Sequence, residues 1–355
     1  MKTTKTRLPF SPICAAVAGY GMSGEVFHAP FLHVNDAFEL SGIMSSGEKA
    51  AQHYPKTKIY RQFDQLLHDP LIELIVICTP HQLHEEHAIA ALQAGKHVVV
   101  EKPVAMSSAS FLRMMEAAKN SGKLLIPYHN RRWDGDFLTV KQLMEEGFLG
   151  EIVEFVSRFD RYAPTISRAE WRYADPNGGG TLFDLGPHLI DQALVLFGKP
   201  HSVWCKLYEQ RPESKVNDSF ELKLFYPECT ATLRAGIFVR ETGPRFQVHG
   251  TLGSYLKYGL DSQEAHLKKG KKPNASGFGN EPKKQAGILH SMSQNRQQRI
   301  KYPSLSGHYM QFYEGVAQAI RQQLTVPVDP ADALLGLQLI EAAVKSHHSE
   351  TIVHL

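Results

Sequence analysis

The chain has 355 residues, 39 Lys and Arg against 36 Asp and Glu, and 43% hydrophobic residues, the profile of a globular protein long enough for two domains. A net charge of +3 is too small for a nucleic-acid surface, and no stretch reaches the ~20 apolar residues of a bilayer span. The four cysteines (Cys14, Cys78, Cys205, Cys229) form no CxxC pair, which removes a disulfide framework and a zinc site and points to a reducing compartment.

At the start, Lys2, Lys5 and Arg7 before an apolar run imitate an export signal. Pro9 and Pro12 interrupt that run, and cleavage near Ala18 would remove the first strand, so the cytoplasm is expected. That strand, predicted over 13–18, leads directly into Gly19-Tyr20-Gly21-Met22-Ser23-Gly24, and a helix over 24–34 follows. In strand–turn–helix context the glycines serve the tight turn, the close approach of a pyrophosphate and helix–strand packing. Further apolar runs at 38–44, 74–78, 97–100 and 124–126 alternate with helical patterns at 63–67, 84–94 and 108–120. Buried strands alternating with helices predict a doubly wound parallel sheet, an α/β Rossmann domain.

Beyond Tyr128 the pattern changes. A helix over 137–146 is followed by alternating strands at 151–162, 203–207, 219–225, 230–238 and 246–249, with a buried helix over 181–197 among them. Helices at 309–323 and 331–347 and a short strand at 351–353 close the chain. Alternation of this kind predicts a mostly antiparallel sheet in an α+β second domain. The boundaries expected are 1–128 and 129–329, and the Lys- and Gly-rich stretch 268–284 reads as a solvated loop.

Strand ends in such a sheet face the ligand crevice. Thr79-Pro80 ends the fourth strand, Glu101-Lys102-Pro103 the fifth, and His129-Asn130-Arg131 follows the sixth. Asp184 and His188, four apart, are expected on one face of the buried helix. An ammonium, a carboxylate and an imidazole would then meet over one ring. His84 and His87 share a helix face, but no third ligand has a readable position, so no metal is expected. At the tip of the second strand stand Ser45 and Ser46 with Lys49 a turn onward, where an NAD enzyme would carry a carboxylate. Hydroxyls and a cation suit a 2′-phosphate, so NADP is the preferred cofactor and NAD the alternative.

The Gly19–Gly24 turn, Thr79-Pro80 with His84, Glu101-Lys102-Pro103 and the Asp184/His188 pair resemble the Gfo/Idh/MocA oxidoreductases, over nearly the whole chain. The resemblance is strongest to the scyllo-inositol dehydrogenase branch, through YHNRRWDGDF from Tyr128, Trp171-Arg172, GTLFDLGPHLIDQ from Gly180 and GSYLKYGLDSQ from Gly253. It implies an open-faced sheet domain, a final helix (330–355) packed back on the first domain, often a cis Lys102–Pro103 bond, and a homo-oligomer, dimer or tetramer. It also implies that Lys102, Asp184 and His188 are catalytic. Cofactor contacts are expected from Gly19, Tyr20, Gly21, Met22, Ser23, Gly24, Ser45, Ser46, Lys49, Thr79, Pro80, His84, Glu101, Lys102, Asn130, Trp171 and Arg172.

Oxidising a secondary alcohol releases a hydride and a proton, and nicotinamide takes only the hydride. His188 suits the proton, since its ordinary pKa lies near working pH. Lys102 would stabilise alkoxide character, and Asp184 would orient the imidazole or hold a neighbouring hydroxyl. The Lys102 and His188 roles could be exchanged. Lys102, Arg131, Tyr162, Asp184 and His188, with Asp160, Trp171, Arg172 and Asn177 around them, suit a neutral cyclic polyol or sugar, scyllo-inositol first. A nicotinamide-binding sensor without catalysis, or a dehydrogenase of another aldose, is the alternative.

Overall fold

A computed structural model of the protein describes residues 10–166, 179–293 and 296–355. Six short apolar strands form the first sheet: β1 (Ile13–Ala18), β2 (Phe38–Met44), β3 (Lys58–Tyr60), β4 (Leu74–Ile77), β5 (His97–Val100) and β6 (Leu125–Pro127). All pair in parallel, in the order β3-β2-β1-β4-β5-β6. The strand order reverses between β1 and β4, which places a ligand crevice at that switch point. Strand β3 had no counterpart in the sequence reading. Three residues with one fully buried side chain leave too little pattern to see.

The period of two sorts this sheet's side chains between two cores. Ile13, Ala15 and Val17 pack on Phe31, Phe312 and Tyr313, whereas Ala16, Ala18, Ile75 and Ile77 pack on Ala88, Phe111 and Leu337. The helix expected over 24–34 is two pieces, a π-helical turn Gly24–His28 and an α-helix Ala29–Val34. Pro30 brings no N–H to the ladder, and Ala29 N–H reaches back to Gly24 O in the wide spacing. Ser107 caps Ser108–Ser121, accepting from Ser110 N at 3.1 Å.

The second sheet has nine strands: β7 (Ile152–Arg158), β8 (Ser202–Tyr208), β9 (Ser219–Phe225), β10 (Thr230–Ala235), β11 (Phe246–Gly250), β12 (Gly253–Lys257), β13 (Gly287–Ser293), β14 (Arg296–Tyr302) and β15 (Val353–His354). Their order is β14-β13-β12-β11-β7-β10-β9-β8-β15, antiparallel except where β10 meets β7. Phe155, Phe220, Leu222, Leu233 and Val248 bury one face against Phe137, Leu189, Ile190 and Leu339. Helices Gly135–Glu145, Gly186–Phe197 and Pro330–Ser349 supply that cover. Strands β12 to β14 went unpredicted, since the last reads RQQRIKY and lies exposed at the sheet edge.

Pro330–Ser349 packs against Ser108–Ser121 and β6 as well as Gly186–Phe197 and β8. Arg132 Nη2 to Asp332 (2.8 Å) and Ser108 N to Glu341 (2.7 Å) fasten it. Among the described residues no helix is long and apolar enough to cross a membrane.

Candidate active site

The glycine turn joins β1 to the π-helical turn. Gly19 has φ +109°, and a Cβ there would lie 2.7 Å from Cys78 O. A Cβ on Gly24 would meet Gly19 O at 2.1 Å, whereas one on Gly21 would meet nothing within 4 Å. The outer glycines are thus needed by the fold, and the middle one opens on space free of protein, as the close approach of a pyrophosphate would require. Met22 is exposed and Tyr20 OH is 2.9 Å from His53 Nδ1. Ser23 turns inward and donates to Glu101 Oε1.

At the end of β2, Ser45 is half-buried and Ser46 exposed. Lys49 Nζ bonds Glu25 Oε2 at 2.6 Å. Sequence reasoning missed Arg61 here. Tyr60 of β3 is paired with Met44 of β2, which brings the next residue, Arg61, beside Ser45. Its Nη1 donates to Ser45 O (2.9 Å) and Gly47 O (3.2 Å), and its Nη2 to Glu48 Oε1 (2.6 Å). The Glu48 carboxylate is therefore already matched by a guanidinium.

Thr79 and Pro80 follow β4. Thr79 Oγ1 is 3.0 Å from His87 Nδ1, and the His87 ring stacks on Phe63 at 3.9 Å. His84, expected as a cofactor contact, is buried with Nδ1 2.8 Å from Pro103 O and Nε2 2.9 Å from Thr79 O. Both neighbours are carbonyl acceptors, and the ring lies between the ends of β4 and β5. The Lys102–Pro103 peptide is cis.

Lys102 and Asp184 meet directly, Nζ to Oδ1 at 2.9 Å and Nζ to the Asp184 carbonyl at 2.9 Å. The single helix expected over 181–197 is divided into Gly180–Asp184 and Gly186–Phe197. Pro187 has no N–H to continue the ladder, and Leu185 sits between the pieces. Asp184 therefore does not ride one continuous helix with His188. His188 is buried, and its Nδ1 has no hydrogen-bond partner among the described residues. Burial first, then the charges of Lys102, Arg131, His129 and Arg245, push its pKa well below the usual histidine value. The imidazole is held neutral, the state a proton acceptor needs.

Arg131 was expected to touch substrate; its Nη atoms bond Asp134 (3.3 Å) and Glu264 (2.8 Å), and its buried Nε has no hydrogen-bond partner among the described residues. It acts on His188 as a charge. Arg245, missed in the sequence, stacks over Phe159 (4.1 Å) and Phe246 (4.0 Å) and donates to Ser157 Oγ and, at 2.8 Å, to Gln192 Oε1. Gln192 Nε2 in turn bonds Arg131 O at 2.9 Å. Burial lowers the Arg245 pKa to about 10. No local pattern marks such a residue, because its partners come from three separate elements.

Asn130 is buried on the turn Asn130–Trp133. Tyr162 is 42% exposed, and its ring contacts are Phe238 (6.2 Å) and the Arg240 guanidinium (3.9 Å), neither from the Lys102–Asp184–His188 group. Asp160 Oδ1 accepts from Gly236 N at 2.8 Å, a tie between the segments that follow β7 and β10. Trp171, Arg172 and Asn177 lie outside the described residues.

A glycine turn at the switch point of a parallel sheet, beside a Lys–Asp pair and a neutral histidine, defines a nucleotide-dependent oxidoreductase on two sheets. Residues 13–129 match the oxidoreductase family's NAD-binding Rossmann fold, and residues 141–355 its C-terminal alpha/beta domain. The chain belongs to the Gfo/Idh/MocA oxidoreductase family and is an oxidoreductase with an NAD(P)-binding Rossmann domain. It is 38% identical over 352 residues to scyllo-inositol 2-dehydrogenase (NADP(+)) IolW of Bacillus subtilis (strain 168), covering 99% of this chain and 98% of that protein. It is 37% identical over 335 residues to the uncharacterized oxidoreductase YdgJ of Escherichia coli (strain K12), covering 94% and 96%. The solved structure of yvaA from Bacillus subtilis superposes with a TM-score of 0.94 at 38% identity, covering 98% of this chain and 100% of that one.

Proposed function

We propose that the protein is an NADP-preferring dehydrogenase of a cyclic polyol or sugar, interconverting a secondary hydroxyl and its ketone, with scyllo-inositol as the leading substrate. The observation that carries this reading is the Lys102–Asp184 contact at 2.9 Å beside a buried, neutral His188. Bound nicotinamide supplies the hydride acceptor. The open side of Gly21 fits its pyrophosphate, and Ser45, Ser46 and Arg61 fit a 2′-phosphate better than a bare ribose. The likeness to IolW supports both the substrate class and the cofactor.

His188 takes the hydroxyl proton, since burial and the surrounding cations keep its ring neutral and its nitrogen able to accept. Lys102 donates to the same oxygen and stabilises the alkoxide as it forms. Asp184 holds that ammonium in place and balances its charge. Residues 1–128, with 330–355, are assigned to the nucleotide, and 129–329 to the substrate and to a partner copy in a cytoplasmic dimer or tetramer.

The test is to follow reduced-nicotinamide absorbance over a panel of inositols, aldoses and acyclic polyols, with NADP and NAD separately. NADP-linked turnover of a cyclic polyol supports the reading. Tight NADP binding with no turnover of any panel member would replace it with a non-catalytic sensor.

A further inference from the structure

We propose that His28 and Tyr313 are positioning residues that fix the Glu101 carboxylate between the dinucleotide turn and Lys102, so that the grip on the nucleotide and the placement of the lysine depend on one buried group. The inference rests on the dehydrogenase reading above.

Glu101 directly precedes Lys102 and is 8% exposed. Its Oε2 accepts the Lys102 backbone N–H at 2.8 Å, and its Oε1 accepts from Ser23 Oγ and from His28 Nε2 at 2.9 Å. Ser23 belongs to the glycine turn and His28 ends the π-helical turn after it. On the far side of the fully buried imidazole, Nδ1 lies 2.6 Å from Tyr313 OH, on the helix Met310–Gln322. A carboxylate only accepts. The His28 Nε2 therefore carries the hydrogen shared with Glu101, and the Tyr313 hydroxyl holds the other ring nitrogen, which links Tyr313 through His28 to Glu101.

A buried carboxylate is costly unless its oxygens are bonded. Burial pushes Glu101 up, and His28, Lys102 and Ser23 outweigh it to hold the group at about 2. Purely structural packing would not require this polarity. The surroundings are aromatic, with Tyr128 4.2 Å from the His28 ring and Phe31, Phe38 and Phe312 around Tyr313, so two apolar side chains would fill the space. The polar chain instead ends on two segments that the reaction uses.

The test titrates NADP into the full-length protein by quenching of its intrinsic fluorescence, and separately measures kcat and KM with the polyol. Tyr313→Phe keeps the ring and removes only the hydroxyl. It should weaken NADP binding and lower kcat about fivefold each, the effect of one hydrogen bond, with the polyol KM and the melting temperature near wild type. His28→Gln, whose amide can still donate to Glu101, should retain more affinity than His28→Leu. NADP affinity and kcat unchanged in both Tyr313→Phe and His28→Leu would overturn the proposal, and Tyr313→Phe decides alone if His28→Leu does not fold. Binding needs no substrate, so wild-type protein that binds NADP but oxidises no polyol removes the substrate reading and leaves this one to be judged on affinity.

Discussion

Lys102 Nζ donates to both the side-chain and the main-chain oxygen of Asp184, each at 2.9 Å, although 82 residues separate the two in sequence. Both side chains are mostly buried, at 20% and 17% exposure. The ammonium is held at two points and so presents its remaining hydrogen in a defined direction.

Replacing Lys102 by Ala, or Asp184 by Asn, should therefore cost turnover far more than binding. A fall in kcat of about 10²-fold or more is expected for Lys102→Ala, the usual scale of one positioned proton-handling or charge-stabilising group. The NADP dissociation constant should change by a few-fold at most. Steady-state kinetics with a parallel cofactor titration checks both, and retained turnover in Lys102→Ala removes the lysine from the mechanism.

The depressed pKa of His188 carries two signs. Its neutral form persists below the usual value of 6.5, so the acid limb of kcat assigned to this group should fall below that pH rather than at it. For stability, the unfolded histidine gains a proton near 6.5 while the folded one resists it. The neutral burial thus contributes fully above 6.5 and is lost as pH falls toward the folded value. His188→Gln should abolish that limb of kcat and flatten the decline of melting temperature as pH falls below 6.5. An acid-side stability profile that the substitution leaves unaltered would contradict the assignment.

Arg61 offers a direct test of cofactor choice. Arg61→Ala removes the guanidinium beside Ser45 and leaves the Glu48 carboxylate uncompensated there. NADP efficiency should drop about 10- to 100-fold, as for loss of a charge-assisted contact, with NAD efficiency unchanged or improved. The ratio of kcat/KM for the two cofactors is the readout, and a ratio unmoved by the substitution would place the 2′-phosphate elsewhere.

Two glycines of one turn should respond in opposite ways. Gly24→Ala puts a methyl 2.1 Å from Gly19 O, against backbone that cannot swing aside, and should destabilise the protein by about 1–3 kcal/mol. Gly21→Ala meets no protein atom, so the melting temperature should hold while nucleotide affinity falls. Thermal denaturation and NADP titration on both variants separate the effects. Equal melting temperatures for Gly24→Ala and wild type would contradict this account of the turn.

Much of this molecule was readable one segment at a time. Strand 13–18 with Gly19, Gly21 and Gly24 and the Glu101-Lys102 strand end each depend on residues within a few positions, and local sterics and burial periodicity record such features. The missed features are those whose partners are remote. The break ahead of Pro187 divides the helix, and Asp184 at the end of its first piece meets Lys102. Arg61 reaches Ser45 because a three-residue strand pairs with β2. Arg245 and Tyr313 matter through groups 53 and 285 residues away. A periodic pattern says which face of an element is buried, but many polar side chains share each face. Sheet order and helix packing choose which of them meet, and that choice is a property of the assembled chain.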